Sequence, residues 1–106
     1  MEFFGKTLSG PFTIPSGIVT TATPIIQYIF DHLPEVGVVT TKSIGLEPRE
    51  GNREPVYSQY APGCFVNAVG LTNPGAHASL TLLTALNVPT DRFLLTSIFG
   101  GSIEEF

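Results

Sequence analysis

Apolar positions along the chain change period several times, and each change marks an element. From Phe3 to Ile14 short apolar pieces are broken by Gly5 and by Gly10-Pro11, which predicts a small β-hairpin over residues 3–14 ahead of the main fold. Ile18-Val19-Thr20, following Pro15-Ser16-Gly17, is β-branched and predicts a short buried strand end. Thr23 then stands as an N-cap with Pro24 at the first helical position, and Ile25, Ile26, Ile29, Phe30 and Leu33 recur at the spacing of one helix face. Pro34 stops that helix. Val36 to Thr41 is β-branched apart from Gly37, the pattern of a parallel strand buried on both faces.

Leu46 to Pro74 holds many turn formers and little periodicity, which predicts a long loop of the kind that carries function in compact domains. Asn73 and Pro74 repeat the cap-plus-proline start, and Ala76, Leu80, Leu83 and Leu86 or Asn87 mark a second helix that Pro89 ends. Phe93 to Phe99 predicts a third strand. After Gly100-Gly101, Ser102 and Glu105 have the capping-box spacing of a third helix. Alternating strands and helices with buried β-branched strands specify the α/β class with a parallel sheet, closed into a barrel or doubly wound.

Length pulls the other way from a barrel, because 106 residues suit one small domain whereas α/β barrels typically need about 250. With 42% apolar and 13% charged residues the chain can bury a core and is not of the disordered class. The net charge of -4 and five scattered basic residues leave no footprint for nucleic acid or an anionic membrane surface. No apolar run reaches the length of a signal h-region or a membrane span, so a cytoplasmic location is the expectation. Cys64 is the only cysteine, which excludes an internal disulfide and a thiolate metal site. His32 and His77 each fall on a predicted helix without a second ligand at metal spacing, and no metal is expected.

Two segments carry candidate chemistry. In Thr41-Lys42-Ser43-Ile44-Gly45-Leu46-Glu47-Pro48-Arg49-Glu50-Gly51-Asn52 a lysine directly follows an apolar strand. A cation there, against low-dielectric walls, can stabilise an anionic cofactor or substrate; on spacing alone, a plain surface lysine at a strand end is the commoner occupant of such a position. In Asn67-Ala68-Val69-Gly70-Leu71-Thr72-Asn73-Pro74-Gly75 two amides bracket a glycine before a helix start. An amide both donates and accepts, which suits a heterocycle with alternating carbonyl and N–H groups, and Gly70 lets backbone N–H groups approach an anion. A turn with Asn73 as an ordinary N-cap is the bland alternative.

Taken together the two segments resemble the signature pair of the dihydroorotate dehydrogenase family. Ile14-Pro15-Ser16-Gly17 is similar to that family's first-strand flavin turn, and Ser97-Ile98-Phe99-Gly100 resembles the end of its third strand. The resemblance implies the N-terminal part of a TIM (β/α)8 barrel, with its first three β/α units from about residue 14 onward. It implies FMN as cofactor, dihydroorotate as the small-molecule substrate oxidised to orotate in pyrimidine biosynthesis, and a homo-oligomer at full length. Carried over residue by residue, Ser16, Gly17, Lys42, Ser43 and Ser97 contact FMN. Lys42 also reaches the substrate, with Asn67, Ala68, Val69, Gly70 and Leu71 as the substrate loop. The family's catalytic base, a cysteine or serine, lies on a loop downstream of this segment, so Cys64 is read as structural.

Three positions depart from the family pattern: Pro15 for the usual alanine, Gly45 for threonine, and Ser97 for asparagine. They leave open a divergent FMN oxidoreductase of the dihydropyrimidine dehydrogenase type. A different class also stays open, a non-catalytic fragment acting as an interaction module.

Overall fold

A computed structural model describes residues 1–106. The chain opens on a hairpin of β1 (Glu2–Phe3) and β2 (Lys6–Thr7), pairing Glu2 with Thr7 and Phe3 with Lys6. Phe4 and Gly5 turn it with φ of 45° and 74°, the positive pair that matches the twist of a tight hairpin. The hairpin is therefore shorter than the expected span of 3–14. Phe12–Ile14 is not its second arm but β3, which pairs in parallel with β4 (Val36–Thr40). Gly10 makes this diversion possible, since a Cβ there would sit 2.2 Å from the Glu35 carbonyl oxygen. Two residues on, the Phe12 N–H donates to that carbonyl at 3.0 Å.

The β-branched run 18–20 does not form a strand. Gly17 turns the chain at φ 80°, the Ile18 N–H donates back to the Pro15 carbonyl at 3.3 Å, and Val19 lies in the left-handed region at φ 52°. Helix α1 (Thr23–His32) follows, with extended Ala22 rather than Thr23 as its N-cap and no side-chain capping bond. Ile26, Ile29 and Phe30 are buried and form the core with Val36 and Val39, while Ile25 stays 44% exposed. The buried stripe is thus narrower than the apolar spacing suggested.

β4 is the central strand of a three-stranded parallel sheet in the order β3-β4-β7, where β7 is Phe93–Leu95. Its first four residues are buried, as a strand covered on both faces should be. β7 is shorter than the expected Phe93–Phe99, although an isolated parallel bridge joins Ile44 to Ile98 beyond it. Arg92, directly before β7, is buried: its Nη1 donates to the carbonyls of Leu33 at 3.0 Å and Val36 at 3.1 Å, tying the end of α1 to the start of β4.

The expected structureless loop contains an antiparallel hairpin, β5 (Tyr57–Ala61) and β6 (Cys64–Asn67), turning at Pro62-Gly63. Every residue of β6 is exposed. With neither face of that strand buried, no in-out alternation was written into it. Helix α2 (Ala76–Thr84) begins after Gly75, not Asn73, and ends before Leu86. It buries Ser79 rather than the expected leucine face, for Leu80 is 63% exposed. At the C-terminus a 3-10 turn, Ile103–Glu105, stands where a capped helix was expected. Ser102 makes no capping bond there, and Glu105 accepts from the Gly101 N–H instead. The backbone N–H of Glu104, and after it the Ser102 hydroxyl, hold the Glu104 carboxyl below its usual range. No helix is long and apolar enough to cross a membrane.

Candidate functional site

Parallel strands present their C-terminal ends on one side, and the predicted cofactor residues lie just past those ends. Ser16 follows β3, Ser43 follows β4 and Ser97 follows β7. Their hydroxyls form a continuous chain: Ser43 Oγ is 3.4 Å from Ser16 Oγ and 2.8 Å from Ser97 Oγ. Backbone bonds extend the ladder to set this up, with the Thr41 N–H donating to Leu95 and the Ile44 N–H to Ser97, both at 2.9 Å. Thr41, which sequence reasoning passed over, is buried, and its Oγ1 accepts from the Ser97 N–H at 3.1 Å. Ser16 is exposed while Ser43 and Ser97 are half-buried, so the chain runs from solvent into the sheet end.

Lys42 is half-buried beside Ser43 and lines a cavity of about 350 Å³ together with Thr20, Thr41, Ser43, Asn73 and Leu83. The ion pair between Arg92 and Asp91, at 3.9 Å, is the only one in the molecule, so the Lys42 ammonium has no carboxylate partner. Gly17, beside Ser16, supplies the positive φ of the turn after β3, and its N–H donates to Thr20 Oγ1 at 3.3 Å.

The two motif segments are bonded to one another. Arg49 and Asn73 exchange backbone hydrogen bonds at 2.8 and 2.9 Å. The Asn52 N–H donates to Val69 at 3.0 Å, and its side-chain amide donates to the Ala68 carbonyl at 2.7 Å. Thr72 Oγ1 donates to the Glu50 carbonyl at 3.0 Å. Asn73 is the hub: its buried side-chain oxygen accepts from Gly45 N–H at 3.1 Å and Gly75 N–H at 2.9 Å, while its amide donates to Leu71 at 2.8 Å. It is a tie between segments, not the N-cap that its place before a proline suggested.

Gly70 and Leu71 both have positive φ, 83° and 59°, and neither N–H has a protein acceptor. Asn67 ends β6 with its side chain exposed and does not line the Lys42 cavity. Cys64 is exposed at the start of the same strand. The geometry therefore joins Ser16, Ser43 and Ser97, sets Lys42 next to them, and holds the 67–71 loop on a separate, hydrogen-bonded arm.

The family model described as dihydroorotate dehydrogenase matches residues 1–105. The chain belongs to the dihydroorotate dehydrogenase family. Among curated members, it is 38% identical over 106 residues to the dihydroorotate dehydrogenase B (NAD(+)) catalytic subunit of Pyrococcus furiosus, covering 100% of this chain and 34% of that protein. Its identity to the protein of the same name from Thermococcus kodakarensis is 38% over 102 residues, 96% of this chain and 32% of the relative. The Archaeoglobus fulgidus protein of that name is 34% identical over 105 residues, 99% of this chain and 33% of its own length. The chain thus spans about a third of the length of these dihydroorotate dehydrogenases.

Two of the departures from the family pattern have a structural explanation. A Cβ at Gly45 would meet the Phe99 ring at 2.7 Å, so the ring fills the space of the usual threonine side chain. Ser97, too short to reach far on its own, is bonded to the Ser43 hydroxyl. Nothing in the structure explains Pro15.

Proposed function

We propose that the chain is the N-terminal segment of an FMN-dependent dihydroorotate dehydrogenase, which oxidises dihydroorotate to orotate in pyrimidine biosynthesis, with β3, β4 and β7 as the first strands of a TIM barrel. The observation that carries this reading is the hydroxyl chain Ser16–Ser43–Ser97 across the C-terminal ends of neighbouring parallel strands, where barrel enzymes hold their ligands.

The donor set fits a flavin. Each hydroxyl both donates and accepts, which suits the alternating N–H and carbonyl edge of an isoalloxazine ring. When bound, FMN supplies the hydride acceptor. Ser16, Gly17, Ser43 and Ser97 hold and orient it, and Lys42, lacking a carboxylate partner, offers its full charge to negative charge that develops nearby. Asn67 presents an amide that can both donate to and accept from a pyrimidine edge. The unpaired N–H groups of Gly70 and Leu71 are suited to a carboxylate. No residue of this chain is assigned as the base that takes the C5 proton. The names of the relatives carry NAD(+), and we extend that to this protein as the final electron acceptor.

The test is anaerobic. Dihydroorotate added to the FMN-loaded protein that carries this segment should bleach the flavin absorbance and yield orotate. Flavin that stays oxidised in excess dihydroorotate would overturn the reading.

A further inference from the structure

The hairpin that carries Asn67 has a second feature on the same face. Tyr57 and Asn67 are directly opposite each other in the β5–β6 ladder. The neighbouring residues are joined by the ladder bond from the Ala68 N–H to the Val56 carbonyl at 2.7 Å. That makes Tyr57 and Asn67 a non-hydrogen-bonded pair, the kind whose side chains approach most closely. Phe65, two residues before Asn67, shares the face, because side chains along a strand alternate. The rings of Tyr57 and Phe65 are stacked, 5.3 Å between centroids and 13° from parallel.

We infer that Tyr57, held by Phe65, is a positioning residue that fixes the Asn67 amide for the pyrimidine. The inference rests on the proposed role of Asn67. An exposed asparagine side chain rotates freely about both of its torsions, and its amide recognises a heterocycle only in one orientation. The stacked ring forms a rigid wall on one side of that amide and removes rotamers that point along the hairpin toward Phe65. The ordering is then present before substrate arrives, so the entropy of fixing Asn67 is not subtracted from binding. Tyr57 is 61% exposed and Phe65 52% exposed, so neither ring is held by the core. Their stacking therefore orders the open end of the hairpin, where Tyr57 faces Asn67, and contributes little to the fold below.

The experiment is a double-mutant cycle in the FMN-loaded protein, with KM and kcat for dihydroorotate as readouts. Tyr57→Ala should raise KM about two- to fivefold, the scale of a cross-strand pair, at unchanged kcat and flavin content. Tyr57→Phe keeps the ring and should keep the wild-type KM. In an Asn67→Ala background Tyr57→Ala should add nothing further, because its effect passes through Asn67. The same KM penalty in both backgrounds would overturn the inference, as would a Tyr57→Ala loss of flavin content in step with KM, which marks a merely structural hairpin. If Tyr57→Ala fails to fold, Tyr57→Leu, which keeps apolar volume without a flat ring, replaces it in the cycle with the same expectations. A wild-type protein that is not reduced by dihydroorotate would sink the proposed function and this inference with it. A wild-type protein that is reduced, with Tyr57 variants of unaltered KM, would sink the inference alone.

Discussion

Ser43 and Ser97 stand 54 positions apart in sequence, yet their hydroxyls are 2.8 Å from each other, and Ser43 is also the link to Ser16. Ser43→Ala therefore removes the shared member of the chain. A net hydrogen bond contributes about 0.5–1.5 kcal/mol, so FMN affinity should fall about three- to tenfold. Titration of FMN by fluorescence quenching measures this, and an unchanged Kd would take Ser43 out of the cofactor site.

Lys42→Ala should act on rate more than on assembly, since Lys42 has no ion pair to lose. Removing a group that stabilises developing charge typically costs about a hundredfold or more in turnover. Stopped-flow reduction of the bound flavin by dihydroorotate should slow by about that factor, with the thermal midpoint unmoved. Equal reduction rates in wild type and variant would refute the role.

Asn73→Ala strands the Gly45 and Gly75 N–H groups and the Leu71 carbonyl together. Each buried polar group left without a partner costs about 1–3 kcal/mol, so a loss of about 2–4 kcal/mol is expected in urea unfolding once relaxation is allowed for. Asn73→Asp retains the acceptor for both N–H groups, close to the start of α2 where a carboxylate is favoured, and should cost less than alanine.

Gly51→Ala should unfasten the two motif segments. Gly51 has φ 82°, and a Cβ there would lie 2.0 Å from Thr72 Oγ1 and 2.4 Å from the Val69 carbonyl oxygen. One of these is backbone, which cannot swing away as a side chain can. Amide hydrogen exchange at Asn52 should accelerate as its bond to Val69 is forced open, while exchange in β4 stays as in wild type.

What could be read from sequence tracks what is buried. α1 and β4 were legible because Ile26, Ile29, Phe30, Val36 and Val39 pack into one core and write its period into the chain. β5 and β6 were not, since exposure leaves Tyr57, Phe65 and Val66 free of any in-out pattern. Val19 misled for a different reason. β-branching argued for a strand, and the Ser16-Gly17 turn imposed a positive φ that propensity does not foresee. Asn73 was visible as a cap because it precedes a proline, but its bond to Gly45, 28 residues away, belongs to tertiary structure. The hydroxyl chain has the same character: each serine was legible as a strand-end residue, while the link between them required the register of β4 and β7.

That register is short, running only from Val38–Phe93 to Thr40–Leu95. A slip of one residue would turn every side chain of the slipped strand to the opposite face and separate the Ser43 and Ser97 hydroxyls. A ligand gripping both serines selects the one alignment in which they face the same way. At a hundred times its Kd such a ligand adds about 2.7 kcal/mol to the state it binds. On the proposed flavin site, cofactor binding would thus favour the native pairing of β4 with β7 over a slipped one.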